Sequence, residues 1–253
     1  MKNTFKKNNI LNIYITAGFP KLNDTVEIVN ELAKNNVDII EIGMPFSDPL
    51  ADGPTIQNSS KKAIENGITI TKIFEQIKEI RKSTDIPILL MGYYNQLLQY
   101  GTEKFFNKAK EVGVNGFIIP DLPLDIYQKK HQRLVNSLGL NMIFLITPQT
   151  TNERIMAIDN TTSGFIYVVS SYSITGGSNE ISKKQINYFE RIKKMNLTNP
   201  TLIGFGIHNK KTFDTACKYT NGAIIGSAFI KEIEKSGDYQ KTISNFIKSI
   251  RKG

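Results

Sequence analysis

Glu41 closes an apolar run containing Val37, Ile39, Ile40 and Ile42, and the next eleven residues bring two more acids, Asp48 and Asp52, among prolines and glycines. A carboxyl group in apolar company loses hydration in its charged form, so its pKa rises and it can both give and take a proton near neutral pH. Pro49, Gly53 and Pro54 constrain the segment that carries Asp52. Two carboxylates could therefore face one ligand while performing separate tasks. Taken alone, the stretch fits equally well a strand-end glutamate reaching solvent, followed by an ordinary proline-glycine loop.

Other chemistries are poorly provided for. An aldolase acting through a Schiff base needs a buried lysine, and no strand core expected here contains lysine or arginine. The two histidines, His131 and His208, are far apart in sequence and are expected at the surface or at helix caps. With one cysteine, Cys217, they make no zinc site and no disulfide. Among the remaining acids, Asp38 opens its strand and suits a structural role, and Asp121, between Pro120 and Pro123, suits a turn or a supporting role. An anion site is better supplied. Gly204-Phe205-Gly206 and Gly226-Ser227-Ala228 each end a strand before a helix. Glycine allows close backbone approach and a helix N-terminus offers free N–H groups, so these two turns together could hold phosphate without a basic side chain. Ser173-Ile174-Thr175-Gly176-Gly177 reads as a flap contributing N–H groups or a hydroxyl, or else as a plain linker.

Positioning these groups falls to short apolar runs, each followed by a helical pattern. The runs are 10–16, 37–43, 86–91, 114–120, 140–147, 165–170, 201–205 and 223–225. They are apolar throughout, without alternation, as parallel strands covered on both faces are. Asp24-Thr25-Val26-Glu27 predicts a capping box, and Ile243, Phe246, Ile247 and Ile250 predict an amphipathic last helix. Eight such units predict an α/β fold, a parallel (β/α)8 TIM barrel forming a single domain over residues 1–253. A doubly wound sheet is disfavoured because the first turn, Thr16-Ala17-Gly18-Phe19-Pro20, lacks the glycine-rich fingerprint. The long connections after the second and sixth strands would build an active site at the strand C-termini.

The formal charge of +9 raises the possibility of nucleic-acid binding. The lysines, however, are interleaved with glutamates along predicted helices, with no basic stripe and no RNA-binding signature, so no nucleic-acid partner is expected. There is no apolar stretch of twenty residues and no signal-peptide pattern at the basic N-terminus. No membrane partner and a cytoplasmic location follow as expectations.

From Glu41 to Pro54 the chain resembles the signature of the tryptophan synthase alpha chain family. Thr16-Ala17-Gly18, Pro120-Asp121-Leu122-Pro123, Ile174-Thr175-Gly176, Gly204-Phe205-Gly206 and Gly226-Ser227 follow in the family's order and spacing. The resemblance implies a barrel lyase that splits indole-3-glycerol phosphate into indole and glyceraldehyde 3-phosphate, using no metal and no organic cofactor. It implies Glu41 as general acid and base, Asp52 as partner of the indole N–H, and Tyr167 and Thr175 in support. Gly176, Gly206, Gly226 and Ser227 would hold the phosphate, while Tyr14, Ile56, Met91, Ile118 and Phe205 would line the indole pocket. A beta chain is the implied partner, in an alpha-beta-beta-alpha heterotetramer, with Asp48 and Asp121 at the interface. Tyr14 stands where the family commonly has phenylalanine, and Ser171 where some members have arginine. A stand-alone lyase releasing indole, and a non-catalytic barrel that activates a beta chain, are the alternative readings.

Overall fold

The computed structural model describes residues 4–50, 52–170 and 181–252. Its strands are β1 (Ile10–Thr16), β2 (Ile39–Gly43), β3 (Ile88–Met91), β4 (Gly116–Ile118), β5 (Asn141–Ile143), β6 (Leu145–Ile146), β7 (Ile166–Val169), β8 (Thr201–Gly204) and β9 (Gly222–Ile225). All are parallel, in the order β5-β4-β3-β2-β1-β9-β8-β7-β6. The two ends of this order, β5 and β6, are separated in sequence only by Phe144, whose carbonyl accepts the Tyr167 N–H. The barrel thus closes through the chain itself. The single fifth strand expected at 140–147 is two short strands, because its first half pairs with β4 and its second with β7. Eight barrel positions result, and the fold is a TIM barrel.

Helices wrap this sheet: α1 (Asp24–Lys34), α2 (Pro54–Glu65), α3 (Ile70–Ile80), α4 (Tyr94–Tyr100), α5 (Thr102–Glu111), α6 (Leu124–Ile126), α7 (Gln132–Ser137), α8 (Asn152–Thr161), α9 (Lys183–Lys194), α10 (Lys210–Cys217), α11 (Ser227–Glu234) and α12 (Tyr239–Arg251). Alternation along the strands divides the core. Leu11, Ile13, Ile15, Ile40 and Ile42 point outward into a layer shared with the helices, including Ile243, Ile247 and Ile250 of α12. Ile10, Ile39, Leu89, Ile118, Ile143, Phe165, Tyr167, Leu202 and Ile224 fill the barrel interior. Glu41 sits two residues beyond Ile39 and Asn12 two beyond Ile10, so both side chains enter that apolar interior.

Two local expectations fail. The predicted capping box at 24–27 does not form: the N-cap is Asn23, which makes no side-chain cap. Asp24 instead accepts the Lys21 N–H and the Tyr239 hydroxyl, tying the start of α1 to α12. His131 is buried rather than superficial, with Nε2 2.7 Å from the Tyr94 hydroxyl and its ring against Phe106. Asp38, in contrast, has the structural role its position suggested. It accepts the Leu11 N–H and pairs with Lys7 and Arg251, fastening β2 to β1 and to the end of α12.

Candidate active site

The register of β1 and β2 sets Tyr14 directly opposite Glu41. Glu41 is completely buried. Its Oε1 accepts a hydrogen bond from Asn12 Nδ2 at 2.5 Å, while Oε2 has no partner among the described residues. Burial pushes the Glu41 pKa up to about 8, and the bond from Asn12 opposes the rise. At neutral pH this carboxyl group is mostly protonated.

Above it opens a pocket lined by Tyr14, Met44, Phe46, Asp52, Met91, Tyr93, Pro120, Leu145 and Phe205 among others. Met44, Tyr93, Pro120 and Phe205 follow the ends of β2, β3, β4 and β8, so the pocket lies at the C-terminal mouth of the barrel. Tyr14, Met91 and Phe205, expected to line an indole pocket, are part of this wall. Ile56 and Ile118 are not: Ile56 is buried on α2 in the layer beneath the helices, and Ile118 packs in the barrel interior.

Asp52 is half-buried on the pocket wall. The Tyr93 hydroxyl donates to its Oδ2 at 3.1 Å, and the Tyr93 ring stacks on Phe46 at 4.9 Å. Desolvation raises the Asp52 pKa and the Tyr93 bond opposes it. The loop is built to hold this carboxylate. Asp52 N–H donates to the Pro49 carbonyl, and Gln57 on α2 donates its side-chain amide to the Asp52 carbonyl. Gly53 caps α2 and Pro54 occupies its first turn, where a missing N–H costs nothing. Across the mouth, Gln96 donates to the Pro45 carbonyl, and Asp121 accepts the Tyr94 N–H at 2.8 Å. Asp121 thereby joins two neighbouring loops. Asp48 is exposed on the same rim, accepting the Ser47 hydroxyl.

Two tyrosines flank Glu41 from other strands, Tyr14 on β1 and Tyr167 on β7. Burial raises both hydroxyl pKa values, and the charge of Glu41 adds to the effect in each case. Each ring lies over a glycine. A Cβ on Gly43 would stand 2.0 Å from the Tyr14 hydroxyl, and one on Gly204 would stand 2.2 Å from that of Tyr167. Gly204, grouped with the anion-binding glycines on sequence grounds, is thus needed for packing.

Gly206 and Gly226 follow the adjacent strands β8 and β9. Gly206 adopts φ +75°, after Phe205 at +67°. The helix beyond it, α10, is closed by its own Asn209 side chain, which accepts the Thr212 N–H. The N-terminus of α11 differs: Gly226 is its N-cap, Ser227 its exposed first residue, and no side chain among the described residues caps it. Its free N–H groups are the ones open to an anion. Thr175 and Gly176 lie outside the described residues.

Sequence reasoning overlooked Asn12, Tyr93 and the shelf formed by Gly43. Asn12 carried a signal, a lone amide inside the run Ile10-Leu11-Asn12-Ile13; Tyr93 carried none, since its partner is 41 residues away.

The sequence matches the family described as "Tryptophan synthase alpha chain" over residues 1–252. The chain belongs to this family. The tryptophan synthase alpha chain of Flavobacterium psychrophilum is 56% identical over 241 residues, covering 95% of this chain and 94% of the relative. That of Karelsulcia muelleri is 49% identical over 247 residues, covering 98% and 96%. Among solved structures, the tryptophan synthase A-subunit of Pyrococcus furiosus superposes with a TM-score of 0.88 at 34% identity, over 96% of this chain and 98% of that one. A tryptophan synthase complex from the same organism matches with a TM-score of 0.88 at 33% identity, over the same shares of the two chains. No helix among the described residues is long and apolar enough to cross a membrane.

Proposed function

We propose that Glu41 and Asp52 divide the chemistry of the tryptophan synthase alpha reaction, in which the chain cleaves indole-3-glycerol phosphate to indole and glyceraldehyde 3-phosphate in tryptophan biosynthesis. Protonated Glu41 delivers its proton to the indole carbon at the scissile bond. Asp52 accepts the ring N–H and balances the positive charge that spreads onto the ring. As the carbon–carbon bond breaks, the Glu41 carboxylate takes the proton of the glycerol hydroxyl, which becomes the aldehyde. The acid is regenerated, and the net transfer is one proton from hydroxyl to ring carbon. The observation that carries this reading is a fully buried glutamate with one oxygen free, beneath a pocket whose wall holds a second carboxylate.

In the same reading the α11 N-terminus at Gly226 and Ser227, with Gly206 and Gly176, holds the phosphate. Tyr14, Met91 and Phe205 face the indole ring, with Ile56 and Ile118 behind them; Tyr167 supports Glu41, and Thr175 orients Asp52. The chain works with a tryptophan synthase beta chain, to which it passes indole. We assign Asp48 and Asp121 to that interface in an alpha-beta-beta-alpha assembly, and the whole to the cytoplasm.

Glu41→Gln tests the assignment. Glyceraldehyde 3-phosphate formation should fall by roughly a hundred- to ten-thousand-fold while beta-chain binding persists. The acidic form must be present at the start, so wild-type kcat should decline as pH rises through about 8. Near-normal turnover of Glu41→Gln would reject the mechanism. Loss of the beta chain's activation by a catalytically intact chain would favour a stand-alone lyase.

A further inference from the structure

We propose that Asn12 is a positioning residue for the reaction, holding Oε1 of Glu41 so that Oε2 is the oxygen that carries the exchanged proton. This rests on the assignment of Glu41 as acid and base. Asn12 is completely buried on β1 and stands in the barrel interior among Ile10, Ile39, Leu89 and Ile224. A polar side chain there is costly, and Asn12 is only half satisfied: Nδ2 reaches Glu41, while Oδ1 has no partner among the described residues. Packing therefore gives no reason for an amide at this position, and the bond to Glu41 does.

The geometry settles which oxygen does the work. Oε1 already accepts an N–H, so in the neutral acid it is the carbonyl oxygen and the proton resides on Oε2. Among the described residues no group shares Oε2. Its proton is free to go to a substrate atom, and after transfer the same oxygen is free to receive one. Throughout, the amide remains a donor to Oε1 and fixes the carboxyl plane. Without it, the side chain could rotate about its last bond and present either oxygen in several directions.

Among the described residues, the titratable groups coupled to Glu41 are the Tyr14 hydroxyl from β1 and the Tyr167 hydroxyl from β7, both held neutral by burial. Asn12 stabilises the charged form of Glu41, so removing its donor moves the Glu41 pKa further up. Asn12→Leu keeps the approximate shape and deletes the donor; Asn12→Ala deletes it with less bulk and serves if the leucine does not fit. Each is assayed as the full chain in complex with a beta chain, by glyceraldehyde 3-phosphate formation against pH. The expected result is a kcat lowered about 10-fold or more with KM changed less than about threefold, as loss of alignment gives. The alkaline decline of kcat should also move to higher pH. An unmoved or downward-shifted decline, or an unchanged kcat, overturns the proposal. A purely structural role would lower the melting temperature and leave the pH decline in place. The Glu41→Gln chain separates the two levels: if it turns over normally, the assignment of Glu41 fails. If it is inactive and the Asn12 variants keep the wild-type pH profile, only the role of Asn12 fails.

Discussion

Gly43→Ala should strike the active site through a single methyl group. The added Cβ would stand 2.0 Å from the Tyr14 hydroxyl, 2.5 Å from Cζ and 2.7 Å from Cε2. Ordinary contact begins at 3.4 Å, so the hydroxyl must retreat by at least about 1.4 Å. Tyr14 is anchored at its base by β1, which is paired with β2 on one side and β9 on the other, and the pocket is the open side. Overpacking of this kind costs about 1–3 kcal/mol. For a chain of this length, each kcal/mol corresponds to roughly 2–4 °C in melting temperature, so a fall of roughly 6 °C is expected. The ring, driven toward the substrate, should also raise KM. A double-mutant cycle identifies the cause. On a Tyr14→Ala background Gly43→Ala should cost almost nothing, since its obstacle is gone and alanine is the less flexible residue in a strand. On Tyr14→Phe most of the cost should persist, because Cζ remains. Melting curves and glyceraldehyde 3-phosphate formation measure both effects. Additive costs on the Tyr14→Ala background, or an unchanged melting temperature for Gly43→Ala alone, would refute the packing argument.

Tyr93→Phe removes the hydroxyl that donates to Asp52 and so raises the Asp52 pKa further. Because the role proposed for Asp52 is that of the anion, the acid side of the kcat/KM profile should move to higher pH, with activity at neutral pH down roughly 10-fold, the scale of one hydrogen bond to a charged group. An unmoved acid side would separate Tyr93 from the ionisation of Asp52. Ser227→Phe places bulk on the first turn of the uncapped α11. KM for indole-3-glycerol phosphate should rise by about 10-fold or more with kcat less affected, and an unchanged KM would remove this helix from the phosphate site.

The barrel was legible because its strands are buried on both faces and read as unbroken apolar runs, each answered by a helical pattern. Glu41 was legible for the same reason: a lone acid in such a run is conspicuous. What local sequence cannot show is which distant group meets a side chain. The tetrad from Asp24 to Glu27 had the composition of a capping box, but Tyr239 of α12 and the Lys21 N–H claim the aspartate. His131 looked exposed because Tyr94 and Phe106, which bury it, lie on other helices. The run 140–147 gave no sign of division, since the break at Phe144 is imposed by closure, where one strand must serve two neighbours. Glycines at the strand ends were read for backbone approach to phosphate, yet Gly43 and Gly204 are required by the tyrosine rings above them.

The two carboxylates differ less in the direction of their shifts than in what opposes them. Burial raises both pKa values, but Glu41 is wholly enclosed and meets only a neutral amide, whereas Asp52 borders the pocket and receives a phenol hydroxyl. The contrast supports the proposed division, with the first as proton donor and the second as the standing anion. In the proposed mechanism this ordering also drives the second half of the reaction. Once Glu41 has protonated the ring, its carboxylate is stranded in an apolar barrel with a single hydrogen bond, and such an ion is a strong base. Abstraction of the hydroxyl proton relieves that state, so the step that breaks the carbon–carbon bond also restores the neutral interior. A cation in place of Asn12 would hold the carboxylate too well and weaken it as a base. A hydrocarbon in its place would make the acid reluctant to release its proton. An amide on Oε1 lies between these limits, and a pKa of about 8 is where one residue can serve in both directions near neutral pH.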